Sequence, residues 1–343
     1  MSVEFLVPKT HDVPAGWAPN SLDAQWRWTL TQAQVAELVS VSAGLARPGF
    51  AASDITQIDP LDYPLRSMAS ELTRLRDQLL DGRGFEVIRG LPVADIGDEH
   101  AQAAMVVLSA HVGGFRPQNS AGDLVGHVRN TGAAANDPNV RLYQTNERQT
   151  FHTDSTDVVG LLALSTAVEG GESLVVNARS VYHEMTSRYP ELVDVLFEPV
   201  ATDRRGETPE GLDPWFTIPV FTWWAERLTV MYQRQYIDSA ARFPEAPVLS
   251  ARQVAALDAF DDVCNNPTVH ARMELAVGDI QFVHNHSTLH DRTGFVDDPG
   301  RPRHLIRTWL TVEGDRELHP VFAQRFGSVT PGDRGGISAT NVS

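Results

Sequence analysis

The chain has 343 residues, 42% of them hydrophobic, which is enough to bury a substantial core and excludes a globally disordered protein. Its formal net charge of -16, from 28 Lys and Arg against 44 Asp and Glu, argues against nucleic acid and anionic membranes as partners. The one cysteine, Cys264, excludes an intramolecular disulfide and a thiolate zinc cluster, and it predicts a buried structural thiol in a reducing compartment, the cytoplasm.

The first 111 residues predict mixed, helix-rich structure. Thr31 and Gln34 form a capping-box pattern ahead of an apolar helical stripe. A second stripe over 64–81 predicts a helix ended by Gly82, Phe85–Arg89 reads as a strand, and 98–111 reads as a further helix. The opening residues lack a signal-peptide pattern, and no apolar run reaches the roughly 18 residues that a membrane span needs.

From about residue 140 onward the pattern becomes β-rich. Helices are predicted near 180–188 and over 250–263, the second opened by a capping box of Ser250 and Gln253. The Pro-rich opening and the tail at 327–343 are expected to be mobile or to lie over the surface. Strands are predicted at 158–168, 173–176, 216–224, 228–237, 279–283 and 304–312.

This order of elements predicts the fold class. Many strands with few regularly alternating helices argue against a doubly wound parallel sheet and favour a mainly β, jelly-roll or barrel-like core with helical flanks. We expect a single domain over 1–343, with a helix-rich N-terminal part (1–80), a core with helical insertions (81–315) and a C-terminal tail (316–343). The sequence leaves open whether the protein forms a homo-oligomer.

The central chemical signal is His152-Thr153-Asp154. In a strand, residues two apart point to the same side, so an imidazole and a carboxylate can reach one cation. The plain alternative is a His–Asp hydrogen bond at a strand end. A third ligand has to come from elsewhere, and the candidates are the histidines of His284-Asn285-His286-Ser287-Thr288-Leu289-His290. Two histidines and one carboxylate form the facial triad of non-haem iron(II) oxygenases, which leaves positions open for co-substrate and O₂.

A 2-oxo acid bound at such a centre needs a cation for its distal carboxylate, and the fork of arginine suits this. Strand parity over 303–310 places Arg303, Leu305, Arg307 and Trp309 on one face. An arginine in this apolar strand would be costly to bury unpaired, so Arg307 predicts a bound anion. The alternative for Arg307 is a structural salt bridge.

Five segments in order resemble the taurine dioxygenase (TauD/TfdA) family of Fe(II)/2-oxoglutarate-dependent oxygenases, which also contains clavaminate-synthase-like enzymes. They are GFEVIRGLP at 84–92, TNERQTFHTDS at 145–155, EGGESLVV at 169–176, GDIQFVHNHSTLHDRTGF at 278–295 and RHLIRTWL at 303–310. The resemblance implies a double-stranded β-helix core. It also implies a dioxygenase that takes Fe(II), 2-oxoglutarate and O₂, forms succinate and CO₂, and oxidises an aliphatic C–H of its substrate, most simply by hydroxylation.

Carried over residue by residue, the resemblance assigns His152, Asp154 and His290 as metal ligands. Arg307 is similar to the arginine that pairs with the distal carboxylate of 2-oxoglutarate, with Arg303 as the less favoured candidate. Ser173 matches a hydroxyl residue that hydrogen-bonds this co-substrate. Related halogenases lack the carboxylate ligand, so the presence of Asp154 disfavours halogenation.

The substrate is expected to be a small polar molecule such as an amino acid or another carboxylate. Asn146 and Arg148 share strand parity with His152 if the strand extends back, and Gln118 and Arg234 are further candidates for substrate binding. Desaturation, cyclisation and carbon–heteroatom cleavage are alternative outcomes of the same chemistry. A zinc hydrolase with the same triad and a non-catalytic jelly-roll binding protein are the rival classes.

Overall fold

The computed structural model describes residues 5–22, 26–47, 55, 58–133 and 141–337. Its helices are α1 (Gln32–Ser42), α2 (Ala69–Leu80), α3 (Val93–Ala110), α4 (Ala178–Arg188), α5 (Arg234–Ser239), α6 (Ala251–Asn265) and α7 (Ala323–Phe326). Its strands are β1 (Arg27–Thr29), β2 (Phe85–Arg89), β3 (Gly114–Phe115), β4 (Val125–Arg129), β5 (Gln149–His152), β6 (Val158–Ser165), β7 (Glu169–Gly170), β8 (Ser173–Asn177), β9 (Pro199–Asp203), β10 (Trp215–Pro219), β11 (Phe221–Trp224), β12 (Arg227–Val230), β13 (His270–Met273), β14 (Ile280–His284), β15 (Thr288–Arg292), β16 (Phe295–Val296) and β17 (His304–Thr311).

Two sheets form the core. The larger has seven strands in the order β1-β2-β14-β6-β17-β3, with β4 also paired to β17, and the smaller has four in the order β13-β8-β15-β5. All pairs in both sheets are antiparallel except β1 with β2. The mainly β, double-stranded β-helix (jelly-roll) core with helical flanks that the sequence predicts is confirmed.

The strand residues alternate between two environments, as the pleat requires. On β17, Ile306 and Leu310 pack with helices α1, α2 and α3 on the outer face of the large sheet. Trp309 of the same strand points the other way and joins Val175 and Met273 of the small sheet in the core between the sheets. Helices α4 and α6 cover the outer face of the small sheet. The predicted parity of 303–310 is therefore correct, and it directs the arginines into the space between the sheets.

Local sequence signals set the helix ends. Thr31 and Ser250 each accept a hydrogen bond from the backbone N–H three residues on, and Gln34 and Gln253 return the bond, so both predicted capping boxes are present. Cys264, on α6, is fully buried and has no disulfide partner in the described part of the chain. Within the described ranges, no helix is long and apolar enough to span a bilayer.

The predicted strand over 228–237 is wrong beyond Val230. The backbone N–H of Tyr232 donates to the hydroxyl of Thr153 rather than to a sheet, and α5 begins at Arg234. An ion pair between Arg234 and Asp238, one helical turn apart, favours the helix.

The opening residues lie over the surface, as predicted, with Leu6 and Val7 exposed, but both described ends of the chain are anchored to the core. Val13 is buried, and the carbonyl of Pro8 accepts a hydrogen bond from the hydroxyl of Tyr182 on α4. Near the other end, Arg334 is fully buried and pairs with Asp157 at 2.7 Å and Asp315 at 2.8 Å. These ion pairs fix the segment to the core, so its polar composition did not predict its placement. Residues 338–343 of the predicted tail lie outside the described residues.

Candidate metal centre and its two cavities

His152, Asp154 and His290 meet between the two sheets. His152 is the last residue of β5 and lies opposite His290 on β15, so the strand pairing brings the two imidazoles together. Asp154 follows the end of β5. Its backbone N–H donates to the amide oxygen of Asn285 at 2.9 Å, and its carboxylate Oδ2 accepts from the indole N–H of Trp309 at 2.9 Å.

The three side chains are close enough to hold one metal ion. Their ligand atoms all lie within 4.8 Å of one another, and the rings of His152 and His290 are 4.2 Å apart at their centroids. Nδ1 of His152 lies 2.8 Å from the carbonyl of Thr150, which fixes the tautomer with the proton on Nδ1 and makes Nε2 the nitrogen that can bind a metal. Nδ1 of His290 is buried with no hydrogen-bond partner in the described structure.

Electrostatics put the triad in the protonation states that a metal requires. Burial, and then the nearby His152, lower the pKa of His290 to about 3, and burial also lowers the pKa of His152. Burial opposes ionisation of Asp154, but Arg307, His290 and His152 outweigh it and lower the pKa of that carboxyl group. Two neutral imidazoles, one carboxylate and an unpartnered buried nitrogen fit a divalent iron ion.

A β-bulge in β5 changes which residues share the site with His152. His290 pairs with His152, yet Arg292 pairs with Gln149, so β5 holds one residue more than β15 over this stretch. The bulge directs Gln149 to the centre, where its amide nitrogen lies 2.9 Å from Nε2 of His152. Regular alternation, which the sequence reasoning assumed, would have excluded Gln149.

The same bulge leaves two predicted substrate residues outside the centre. Asn146 is exposed and donates weakly to the carbonyl of Phe295 at 3.4 Å. Arg148 is exposed and forms an ion pair with Asp291 at 2.6 Å. Neither of them lines the two cavities that adjoin the triad.

The first cavity extends from the triad to Ser173 and Arg303. Arg303 is buried, and its Nη1 has no hydrogen-bond partner in the described structure. Burial, and then the neighbouring Arg292, lower the pKa of Arg303 to about 9. The hydroxyl of Ser173 donates to Gln281 at 2.9 Å on the same wall. A buried guanidinium with unused N–H groups predicts an anion at this end of the cavity.

Arg307 lies where the first cavity meets the second, and it lines both. Its Nη1 is 3.9 Å from Oδ2 of Asp154, and its Nε donates to the amide oxygen of Gln118 at 2.7 Å. Gln118 was predicted to contact the substrate. The structure places it behind Arg307 instead, with its amide nitrogen donating to the carbonyls of Leu124 and Arg307.

The second cavity opens on the other side of Asp154. Several of its residues were missed by sequence reasoning because they come from separate loops and short helices with no shared motif. Only Trp309 had a signal, its shared strand parity with Arg307. The polar residues of this cavity that were missed are Arg141, Tyr143, Gln149, Ser155, Thr202, Asp203, Tyr232, Gln233, Tyr236 and Arg325.

The remaining candidates lie elsewhere. Arg234, a predicted substrate residue, forms ion pairs with Asp238, Asp258 and Asp261 and lines neither cavity. His284 and His286, the alternatives to His290, belong to a buried cluster in which His286 lies 2.8 Å from Asp157.

A jelly-roll core with a buried His–Asp–His triad between its sheets defines a mononuclear non-haem metal enzyme of the facial-triad class. Comparison with known proteins agrees. The family described as "Taurine catabolism dioxygenase TauD, TfdA family" matches residues 47–309. FR-33289 synthase of Streptomyces rubellomurinus (strain ATCC 31215) is 30% identical over 304 residues, which cover 86% of this chain and 88% of that protein.

Two further proteins are similar over different extents. A uridine-5'-phosphate dioxygenase of Streptomyces sp is 31% identical over 180 residues, 50% of this chain and 64% of that protein. The structure of an asparagine oxygenase in complex with Fe(II), 3-hydroxyasparagine and succinate superposes with a TM-score of 0.65 at 19% identity, over 83% of this chain and 93% of that one.

The chain belongs to the TauD/TfdA family. It is an Fe(II)/2-oxoglutarate-dependent dioxygenase, and its co-substrates are 2-oxoglutarate and O₂. This class decides against the zinc-hydrolase and non-catalytic alternatives.

Proposed function

We propose that this enzyme hydroxylates an aliphatic C–H of a small polar substrate in the second cavity, with iron held by His152, Asp154 and His290 and 2-oxoglutarate held in the first cavity. The observation that carries the proposal is the position of Asp154 between two adjoining cavities, both of which are also lined by Gln149 and Arg307. When bound, iron would activate O₂, which is the oxidant: two of its four oxidising equivalents convert 2-oxoglutarate to succinate and CO₂, and the other two oxidise the C–H bond.

The contacts favour Arg303 over Arg307 as the anchor for the distal carboxylate of 2-oxoglutarate. Nη1 of Arg303 has no hydrogen-bond partner among the described residues, and Ser173 lies on the same cavity wall. Arg307 is already engaged by Gln118 and lies within 3.9 Å of the ligand Asp154, which is too close to the metal for the far end of a five-carbon diacid. The resemblance to the family favoured Arg307 as the anchor, and we propose that this arginine, which borders both cavities, orients the substrate instead.

The protein's own contribution to the reaction is positioning and the exclusion of water. Trp309 and Asn285 hold Asp154 in place, and the Nδ1–H of His152 donates to Thr150. The triad residues are almost fully enclosed, which keeps bulk water from the reacting carbon.

The comparisons support a small polar substrate. One relative acts on uridine 5'-phosphate, and the asparagine oxygenase structure holds a hydroxylated amino acid. We carry over only the shared property, a compact molecule with charged groups, to this chain. Desaturation, cyclisation and carbon–heteroatom cleavage remain alternative outcomes of the same oxidation.

We also propose that the chain forms a single oxygenase domain that works in the cytoplasm. The burial of Arg334 against the core supports one folding unit, and the buried free thiol of Cys264 is compatible with a reducing compartment. The acidic net charge supports small molecules rather than nucleic acid or membranes as partners. Sedimentation of the purified chain would show whether it is a homo-oligomer.

The test compares Arg303→Gln and Arg307→Gln in two assays. Succinate formation from 2-oxoglutarate gives the KM of the co-substrate, and mass spectrometry of candidate small molecules detects a gain of one oxygen. We expect Arg303→Gln to raise the KM for 2-oxoglutarate at least tenfold and Arg307→Gln to change it far less. The reverse order of effects would show that Arg307 is the residue that anchors the distal carboxylate of 2-oxoglutarate. A product lighter than the substrate by two hydrogens would indicate desaturation.

A further inference from the structure

Three arginines converge in the second cavity. Arg141, Arg307 and Arg325 all line it. The side chain of Tyr236 lies close enough to act on the pKa of each of these guanidinium groups. Arg141 donates to the carbonyl of Gln118 at 2.7 Å, and Arg325 donates through Nε to the hydroxyl of Ser155 at 2.8 Å. Both Arg141 and Arg325 lie outside the first cavity.

The negative charge nearby does not balance these cations. Glu207 faces all three arginines and lies 3.3 Å from Nη2 of Arg141. Asp203, the other carboxylate of the wall besides the metal ligand Asp154, already pairs with Arg242 at 2.9 Å. No carboxylate of the described residues forms an ion pair with Arg325. Because Asp154 binds the metal, Glu207 is left to balance three arginines. The cluster therefore carries a net excess of two positive charges.

Burial makes this excess expensive. The pKa of Arg325 is lowered to about 10, first by its burial and then by Arg141 and Arg204, although Glu207 acts in the opposite direction. The pKa of Arg141 is raised instead, because Tyr236 and Glu207 outweigh its burial, so the uncompensated positive charge lies on Arg325 and Arg307, where a bound anion would compensate it. The part of the second cavity lined by Arg141, Arg325 and Tyr236 therefore has the electrostatics of an anion site.

We propose that the substrate carries a tetrahedral dianionic group, a phosphonate or a phosphate monoester, which binds among Arg141, Arg325 and Tyr236, with Arg307 on the side of the metal. A dianion matches the excess of two charges, whereas a carboxylate supplies one. Its three oxygens can accept from two guanidinium forks and from the hydroxyl of Ser155, and arginine forks bind phosphate oxygens bidentately. This inference rests on the proposed function, because it assigns the second cavity to the substrate.

Replacement of Glu207 tests the proposal, because the direction of its effect on anion binding can be predicted. Its burial raises the pKa of this carboxyl group, even though Arg141 and Arg325 act in the opposite direction. The carboxylate competes with an incoming dianion for the same guanidinium groups. Replacement of Glu207 by glutamine should therefore strengthen dianion binding, whereas an ion pair of purely structural value would give no gain.

The experiment measures binding rather than turnover. Calorimetry of the full chain with Mn(II) in place of iron compares methylphosphonate, methyl phosphate, methanesulfonate and acetate. At a pH above the second pKa of both ligands, so that each is a dianion, we expect methylphosphonate or methyl phosphate to bind at least tenfold more tightly than the two monoanions, and the order of these two distinguishes a phosphonate from an ester. Equal binding of acetate, or of methanesulfonate, overturns the proposal.

Variants locate the site. Arg325→Gln should weaken methylphosphonate binding at least tenfold, Arg325→Lys less, and Glu207→Gln should strengthen it severalfold, while Arg252→Gln on the exposed face of α6 should change nothing. Unchanged binding in Arg325→Gln overturns the proposal, and if that variant does not fold, Arg325→Lys and Glu207→Gln decide in the same way. Succinate formation by the iron-loaded wild type is measured separately, so failure of the anion site and failure of the enzyme class are distinguishable.

Discussion

The indole N–H of Trp309 donates a hydrogen bond to Oδ2 of Asp154 at 2.9 Å, which ties the carboxylate ligand to the strand that carries Arg307. Trp309 is almost completely buried. It therefore orients the ligand from outside the metal centre. Substitution of a residue in such a position commonly lowers metal affinity by roughly 10–100-fold.

Trp309→Phe keeps the ring in the core but removes this hydrogen bond. We expect the affinity for Mn(II) or Fe(II) to fall by about 10–100-fold, because the carboxylate is no longer held in one orientation. Calorimetric titration with Mn(II) measures the effect. The matched control is Trp224→Phe, a half-buried tryptophan that lines neither cavity. Equal affinities in wild type and Trp309→Phe would show that Asp154 needs no such support.

Gln118→Leu removes the acceptor for Nε of Arg307 and two donated hydrogen bonds. Because a buried charged donor then lacks a partner, we expect a loss of about 1–3 kcal/mol in the free energy of unfolding. A freed Arg307 should also raise the KM for the substrate more than the KM for 2-oxoglutarate. Urea unfolding and steady-state kinetics measure the two effects. An unfolding free energy equal to that of wild type would show that Arg307 does not depend on Gln118.

The buried cluster of Arg334, Asp157, Asp315 and His286 predicts acid sensitivity. Burial lowers the pKa of His286 to about 4, below its unfolded value of about 6.5, so the unfolded chain binds this proton first. The associated stability is present above pH 6.5 or so and is lost as the pH falls from about 6.5 to about 4. We expect the Tm to fall across this range, and the fall should shrink in His286→Gln. An unchanged pH dependence in that variant would exclude His286 as the cause.

Arg334→Met leaves two buried carboxylates without their guanidinium partner. We expect a loss of about 3–5 kcal/mol in the free energy of unfolding, because breaking a buried ion pair strands the remaining charge. Arg252→Met breaks an exposed pair with Asp194 and should cost about 0–1 kcal/mol. Chemical denaturation compares the two variants. Similar costs in both would mean that the C-terminal segment is not held by this cluster.

The thiol of Cys264 should be unreactive in the native protein. It is fully buried, and burial raises its pKa well above the ordinary value, so little thiolate forms at neutral pH. A thiol reagent should label it only after denaturation. Rapid stoichiometric labelling under native conditions would contradict this placement.

The sequence was sufficient for features that depend on local order. His152 and Asp154 stand two residues apart at a strand end, His290 lies on the strand that pairs with them, and the parity of β17 places Arg303, Arg307 and Trp309 together. The resemblance to one family added the β-helix core. These features follow from motifs that are continuous in the chain.

What the sequence did not predict depends on bulges and on contacts between distant loops. Parity from His152 selected Asn146 and Arg148, but the bulge in β5 brings Gln149 to the centre instead. Arg141 and Arg325 are separated by more than half of the chain, and no pattern connects them. Gln118 was predicted to contact the substrate, yet its hydrogen bond to Arg307 gives it a supporting position.

The most direct test of the account is the anaerobic titration of His290→Ala and wild type with Fe(II) and 2-oxoglutarate, followed by the visible absorption of the iron–2-oxo acid chelate. The control is His304→Ala, which lines neither cavity. We predict one equivalent of chelate in wild type and His304→Ala and none in His290→Ala at the same concentrations, with all three proteins folded. A full chelate signal in His290→Ala would contradict the claim that these three side chains hold the metal.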